Sequence, residues 1–132
     1  MLRIGVRDLL RLSTVRETTS SLSDLACLLI HAAYEVVDAD LRQQYGIPMH
    51  QNRQRRWVET KFVVMGMGKL GGHELNYSSD VDLIYLYESH DGETRAPRGR
   101  RAVIPAGVGI SNEEYFEILA RELTRVLVEP TR

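Results

Sequence analysis

Two aspartates one residue apart, Asp80 and Asp82, are the side chains in this sequence best suited to chemistry. They stand at the start of an apolar run, which predicts a strand over 81–87, and apolar residues on both faces predict a central strand. Residues two apart on a strand point the same way, so the two carboxylates would lie side by side. Such like charges repel each other and lose solvation, and a divalent cation relieves both costs. Hard oxygen ligands with positions left open for phosphate favour magnesium.

The residues before the aspartates strengthen this interpretation. A predicted strand over 62–65 is followed by a glycine-rich turn and a pair of serines. Small residues and backbone amides in such a turn can approach phosphate oxygens closely. The predicted nucleotide- and phosphate-binding residues are Gly68, Lys69, Gly71, Gly72, Ser78 and Ser79. Simpler interpretations stay open: Asp80 caps a turn, Asp82 pairs with an arginine, and Lys69 is a solvated loop residue.

The same glycines match a second pattern, the dinucleotide-binding fingerprint, over residues 66–71. That fingerprint needs a helix of useful length after the last glycine. Only residues 72–79 separate the glycines from Asp80, and several of them prefer caps and turns. A Walker phosphate loop is excluded as well, because Lys69 is followed by Leu70 rather than by serine or threonine.

Helical periodicity predicts the elements that flank this segment. A short helix is predicted over 2–12 and a longer one over 21–45, with Ser21 or Ser23 as its cap. Gly46 and Pro48 then end the longer helix. A last helix starts at the capping-box pattern Ser111-Asn112-Glu113-Glu114.

Two connecting segments complete the layout. Residues 50–57 are predicted to be a basic polar connector with arginines at 53, 55 and 56 and with Trp57 anchoring it. Residues 89–110 are rich in glycine, proline and arginine and are predicted to be a long loop. Its arginine-rich part, 95–101, is interpreted as solvated, with contact to phosphate or an acidic partner as the alternative.

Composition narrows the function classes. The 132 residues carry a formal net charge of -1, so no basic excess indicates a nucleic-acid-binding protein. The single cysteine, Cys27, cannot form an internal disulfide, which fits a reducing compartment. No continuous apolar run approaches the roughly 20 residues of a membrane span, so we expect no membrane contact and a cytoplasmic location.

The segment from Met65 to Glu88, MGMGKLGGHELNYSSDVDLIYLYE, resembles one family closely. It is similar to the nucleotidyltransferase motif of the bifunctional glutamine synthetase adenylyltransferase and adenylyl-removing enzymes. The stretches LRIGVRDLL and LSDLA resemble the helices that precede that motif, and NEEYFEILARELTRVLVEPT resembles the helix that follows it. The resemblance therefore covers nearly the whole chain.

This resemblance implies a partial polymerase-β-like nucleotidyltransferase fold of the α+β class. A helical lead segment over 1–48 would precede a catalytic core over 58–132. Asp80 and Asp82 would be catalytic magnesium ligands. One half of such an enzyme attaches AMP from ATP to a tyrosine of glutamine synthetase, and the other removes it by phosphorolysis. The implied partners are adenylylated glutamine synthetase, ATP or ADP, phosphate and, through a longer enzyme, the PII regulatory protein; nucleic acid and membranes are not expected.

Asn76 favours the adenylyl-removing half, because the transferase half tends to have glycine there. His73 occupies a position that varies in the family and receives no role. The family's third catalytic aspartate would follow Arg132, so we expect an incomplete site in a fragment that is inactive alone. The alternatives are the transferase half, another nucleotidyltransferase of this fold, and a non-catalytic, truncated binding module.

Overall fold

The computed structural model describes residues 1–96 and 109–129, which form an α+β chain as expected. The helices and strands of these ranges are α1 Leu2–Leu9, α2 Val15–Tyr45, β1 Ile47–Gln51, β2 Trp57–Glu59, β3 Phe62–Gly66, α3 Gly68–Gly71, β4 Leu83–Tyr87, β5 Glu93–Arg95 and α4 Asn112–Val128. The start of α4 was predicted correctly, since the Ser111 side chain accepts a hydrogen bond from the Glu114 amide.

Helix α2 begins at Val15, six residues before the predicted start. Its first turn is closed by a capping box in which the Thr14 hydroxyl accepts from the Glu17 amide at 3.3 Å and Glu17 accepts from the Thr14 amide at 2.7 Å. The bond from the Thr14 amide is also the main cause that lowers the pKa of Glu17. Ser21 and Ser23 therefore lie inside α2, and their prediction as caps was wrong.

The predicted connector 50–57 is largely a β-hairpin, and this pairing was not predicted from the sequence. Strand β1 pairs antiparallel with β2, and Gln51 lies opposite Trp57. The other edge of β1 pairs with β5, which completes a three-stranded sheet. Residues 97–108, which include most of the predicted loop 89–110 and residues 97–101 of its arginine-rich part, lie outside the described residues.

Strands β3 and β4 form a separate two-stranded sheet. The Met67 amide bonds to the Asp82 carbonyl at one end and the Glu88 amide to the Lys61 carbonyl at the other, so the two strands are antiparallel. In the described part of the chain β4 has no second neighbour, so the expectation of a central strand was wrong. That prediction assumed that the apolar residues on both faces of β4 are buried. In the structure Ile84 and the neighbouring residues on the same face are exposed.

Contacts divide the chain into two compact units, each with its own core. The first comprises residues 1–32 and 64–84, and its core contains Leu22, Leu70, Leu75, Ile4, Ala26, Ile30 and Leu83. The second comprises the described residues of 33–63 and 85–132, and its core contains Val37, Leu41, Tyr115, Phe116 and Leu119. These units cross the predicted boundary between 1–48 and 58–132, and that functional division stays a prediction.

Helix α2 is also long enough, and apolar enough by composition, to cross a membrane. An 18-residue window within it has a mean hydropathy of 1.2. Polar residues interrupt every apolar run within α2, so the helix reaches the length and composition of a membrane span without a continuous apolar run of that length. Core helices of water-soluble proteins meet the same requirement, so α2 alone does not indicate a membrane protein.

The second unit contains a buried polar network around Asp38. The Tyr115 hydroxyl donates to Asp38 Oδ1 at 2.9 Å, and Arg42 Nε donates to Asp38 Oδ2 at 2.6 Å. Arg42 also donates to Glu59 Oε1 at 2.8 Å. Burial, followed by the charge and hydrogen bond of Asp38, raises the pKa of Tyr115 far above its usual value of 10.

We expect Tyr115→Phe to lower the free energy of unfolding by about 1–2 kcal/mol, because Asp38 loses a buried donor. The raised pKa in the folded state means that the tyrosine's contribution is fully present below about pH 10 and is lost as the pH rises further. The variant should therefore lose less stability between about pH 9 and about pH 11 than the wild type. Urea titrations across this range measure both effects, and an unchanged alkaline slope would contradict the assignment.

Candidate functional site

The glycine-rich turn folds as a single helical turn after β3. Helix α3 has four residues, Gly68–Gly71, and begins with Gly68 at φ +54°, in the left-handed region that favours glycine. No long helix follows it among residues 72–82. The rejection of the dinucleotide-binding interpretation is therefore confirmed, because that fold needs a helix running on from the glycines.

Gly71 is required by the packing of this turn, and a side chain at Gly66 would displace Leu70. A Cβ atom on Gly71 would lie 2.5 Å from the carbonyl oxygen of Gly66, and one on Gly66 would lie 2.9 Å from the Leu70 side chain. Gly72 differs, since its nearest contact would be the Gly68 carbonyl oxygen at 3.4 Å. The strand and the turn thus approach too closely for any larger residue at Gly71, whereas Gly72 has room for a methyl group.

The structure brings one of the two aspartates beside this turn. The Met67 amide donates to the Asp82 carbonyl oxygen at 2.9 Å, and a Cβ on Gly68 would lie 3.9 Å from Asp82 Oδ2. Asp80 and Asp82 are exposed and precede β4, which begins at Leu83, so their placement within the strand was wrong. A side-by-side arrangement of their carboxylates stays a prediction.

The predicted phosphate-binding serines belong to a turn organised by Asn76. Its Oδ1 accepts from the Ser78 amide at 3.2 Å and from the Ser79 hydroxyl at 2.6 Å. Ser79 Oγ also accepts from the Asn76 amide at 3.2 Å. Asn76 therefore orients the turn, and the Ser79 hydroxyl donates its proton within it. Phosphate contacts by Ser78 and Ser79 stay predictions.

The donor set fits magnesium better than a metal that needs a full protein cage. Among the described residues, no group of three or more histidine, cysteine, aspartate or glutamate side chains could hold an ion. Magnesium is commonly bound through one or two carboxylates together with water and phosphate oxygens. Asp80 and Asp82 are compatible with that arrangement, and the exposed Lys69 lies on α3 close in sequence to them. A phosphate contact by Lys69 is untested.

A residue of α2 that was not predicted from the sequence holds this segment. Ser23 is fully buried, and its hydroxyl accepts a hydrogen bond from the Leu75 amide at 3.1 Å. The same hydroxyl donates to the Thr19 carbonyl oxygen at 2.9 Å. The leucine core of the first unit surrounds this contact. Ser23 therefore fixes the chain five residues before Asp80, and no local sequence signal marks a contact 52 residues apart.

Two further side-chain contacts link the helices to the same segment. His73 adopts φ +61° and its Nε2 lies 3.3 Å from Asp24 Oδ1. Tyr77 lies near Asp8, and partial loss of hydration, followed by the charge and hydrogen bond of Asp8, raises the pKa of the exposed Tyr77. Asp8 also accepts a hydrogen bond from the Thr18 hydroxyl at 3.1 Å. Helices α1 and α2 thus both contact the segment that carries the aspartates.

The sequence of this chain is similar to those of known proteins. All 132 residues match the family described as glutamate-ammonia ligase adenylyltransferase. The chain belongs to that family. Relatives named bifunctional glutamine synthetase adenylyltransferase/adenylyl-removing enzyme include those of Burkholderia mallei, 43% identical over 97% of this chain, and Shewanella woodyi, 36% identical over 99%. The α+β arrangement is consistent with the nucleotidyltransferase fold of the glutamate-ammonia ligase adenylyltransferase family.

The chain spans about 12% of the length of these curated relatives. A relative from Ralstonia nicotianae with the same name is 38% identical over 97% of the chain and is covered to the same extent. The activity named for the relatives therefore belongs to proteins several times longer than this member of the glutamate-ammonia ligase adenylyltransferase family.

Gly71→Ala should destabilise the chain by about 1–3 kcal/mol, because its methyl group would collide with the Gly66 carbonyl. Gly72→Ala is the matched control and should change the free energy of unfolding by less than about 1 kcal/mol, since its backbone is helical and its neighbours leave room. Parallel urea denaturation of the two variants measures the difference. Equal losses would show that the close approach at Gly71 does not control the turn.

Ser23→Ala should lower the free energy of unfolding by about 1–3 kcal/mol, because the buried Leu75 amide loses its acceptor. Ser21→Ala removes a hydroxyl from an exposed position of the same helix and should stay within about 0.5 kcal/mol of wild type. Hydrogen exchange should show faster exchange of the Leu75 amide in Ser23→Ala alone. An unchanged Leu75 amide would contradict the assigned contact.

Proposed function

We propose that this chain supplies the metal- and nucleotide-binding part of an enzyme that removes AMP from adenylylated glutamine synthetase. The observation that carries the proposal is the Asp82 carboxylate beside the first residue of α3, within a segment where two exposed carboxylates follow a glycine turn. The names of the relatives support glutamine synthetase as the protein substrate. Phosphorolysis, with phosphate as attacking group and ADP as product, is the reaction.

In this proposal each part of the site has a separate task. Asp80 and Asp82 hold magnesium, which would neutralise charge on the phosphorus that is transferred. Backbone amides of the α3 turn and the Lys69 ammonium bind phosphate oxygens and align them for attack. Asn76 keeps the turn before the aspartates in one shape through its two side-chain hydrogen bonds. Ser23 holds the start of that turn from α2.

Asn76 supports removal of AMP over its attachment. Its side-chain oxygen shapes the turn through bonds that the glycine typical of the transferase half could not make. ATP as a further nucleotide partner, the PII protein acting through a longer polypeptide, and a cytoplasmic location belong to the same proposal.

The decisive variant is Asp82→Asn, made in an extended polypeptide that also supplies the third aspartate. Loss of one anionic ligand should abolish magnesium-dependent release of ADP from adenylylated glutamine synthetase while leaving the fold intact. Asp40→Asn makes the same chemical change at an exposed position of α2 and should keep wild-type turnover. Near-normal turnover by Asp82→Asn would remove the basis of the proposal.

A calorimetric comparison tests whether the two aspartates are enough to hold magnesium together with a nucleotide. The 132-residue chain should bind ADP weakly with magnesium, because no group of three or more histidine, cysteine, aspartate or glutamate side chains among its described residues could hold the ion. The extended polypeptide should bind more tightly. Tight magnesium-dependent binding by the short chain would instead favour a self-sufficient binding module, the alternative function.

A further inference from the structure

The tip of the β1–β2 hairpin, residues 52–56, has no role in the proposed chemistry. It carries three exposed arginines, Arg53, Arg55 and Arg56, within four positions and contains no acidic residue. We refer to residues 52–56 as the arginine tip. It belongs to the second compact unit, whereas the aspartates and the α3 turn belong to the first.

The arginine tip has a defined backbone. Asn52 Oδ1 accepts hydrogen bonds from the Gln54 amide at 2.9 Å and from the Arg56 amide at 3.0 Å. The Asn52 amide donates to the Arg56 carbonyl at 3.0 Å, and its carbonyl accepts from the Arg55 amide at 2.8 Å. Arg55 is held at φ +56°, a conformation that costs a non-glycine residue about 1–2 kcal/mol. A preordered tip loses little entropy when its side chains bind a partner.

The positive charge of the tip is not neutralised by the described part of the chain. Several arginines make ion pairs there: Arg42 with Asp38 and Glu59, Arg95 with Glu93, and Arg125 with Glu122 and Glu129. The arginines of the first 16 residues make none with a described residue, but they are spread over α1 and the start of α2 and do not form a cluster within four positions. None of the three tip arginines makes an ion pair with another described residue. The nearest following acid, Glu59, is already bound by Arg42. The tip therefore presents three unpaired guanidinium groups on a fixed loop.

A protein carrying acidic side chains fits this surface better than a nucleic acid does. The whole chain has a net charge of -1, so it lacks the long-range attraction that nucleic-acid-binding proteins use. Trp57 follows the tip directly in the chain, and the Arg95 guanidinium lies over one face of its ring, 3.5 Å from the centroid, where it takes the place that a stacked base would need on that face. Guanidinium groups pair with carboxylates in a two-pronged geometry.

We propose that the arginine tip is a docking surface for an acidic patch on glutamine synthetase. This inference rests on the proposed function, which makes that protein the substrate. The tip would contribute to recognition of the substrate protein and take no part in the reaction at phosphorus. Contacts of this kind mainly accelerate association and weaken as salt rises.

The test is binding of the 132-residue chain to immobilised, adenylylated glutamine synthetase by biolayer interferometry at about 50 and about 200 mM salt. The triple variant Arg53→Gln, Arg55→Gln and Arg56→Gln should bind at least about tenfold more weakly at low salt and lose most of the salt dependence. The matched control, Arg3→Gln, Arg11→Gln and Arg16→Gln, removes the same charge from exposed positions of the first unit. It should stay within about twofold of wild type.

Each other outcome overturns the inference. Absence of binding by the wild-type chain removes the docking surface, and an equal loss in the control variant assigns the effect to net charge. Equally tight binding of a random DNA duplex assigns the tip to nucleic acid. The two proposals are tested separately, because the binding measurement with the arginine-tip variants involves no turnover. If Asp82→Asn in the extended polypeptide keeps its turnover while the tip variant loses binding, the proposed reaction fails and the docking surface stands.

Discussion

The packing of one backbone segment against another, at Gly66 and Gly71, is the constraint on which the proposed site depends. The last residue of β3 and the last residue of α3 approach so closely that a single methyl group would not fit between them. This close approach lets the chain turn back directly after the strand. The Asp82 carboxylate lies beside Gly68, where the Met67 amide donates to the Asp82 carbonyl oxygen. Packing inside the protein therefore explains why position 71 of the turn needs glycine, without any contact to a ligand.

The helices that precede the site in the chain also hold this segment in place. Ser23 satisfies a buried amide at Leu75, and the leucines of the first unit fill the space around it. A hydroxyl inside a helix usually bonds back to the preceding turn, as Ser23 does with Thr19, which leaves its acceptor capacity for a second partner. The helical segment therefore has a structural task in the site, and its removal would expose an unsatisfied amide.

Sequence patterns predicted those parts of the fold that depend on neighbouring residues. The capping box at Ser111, the strand at 62–65 and the short glycine turn were all predicted from local chemistry. The Thr14–Glu17 capping box has an equally local sequence pattern but was not predicted. The β1–β5 pairing of the three-stranded sheet could not be predicted in this way, since it joins short strands that are distant in sequence. In the candidate site, residue types indicated the aspartates, whereas the Ser23 contact depends on tertiary packing.

The stacking of Arg95 on Trp57 gives the chain a built-in optical reporter. Trp57 is the single tryptophan of the sequence and begins β2 immediately after Arg56. Its indole lies under a guanidinium group held in turn by Glu93. Any event that shifts the hairpin or draws Arg95 away changes the surroundings of the only indole fluorophore. Emission from this one residue therefore follows the conformation of the three-stranded sheet without an attached dye.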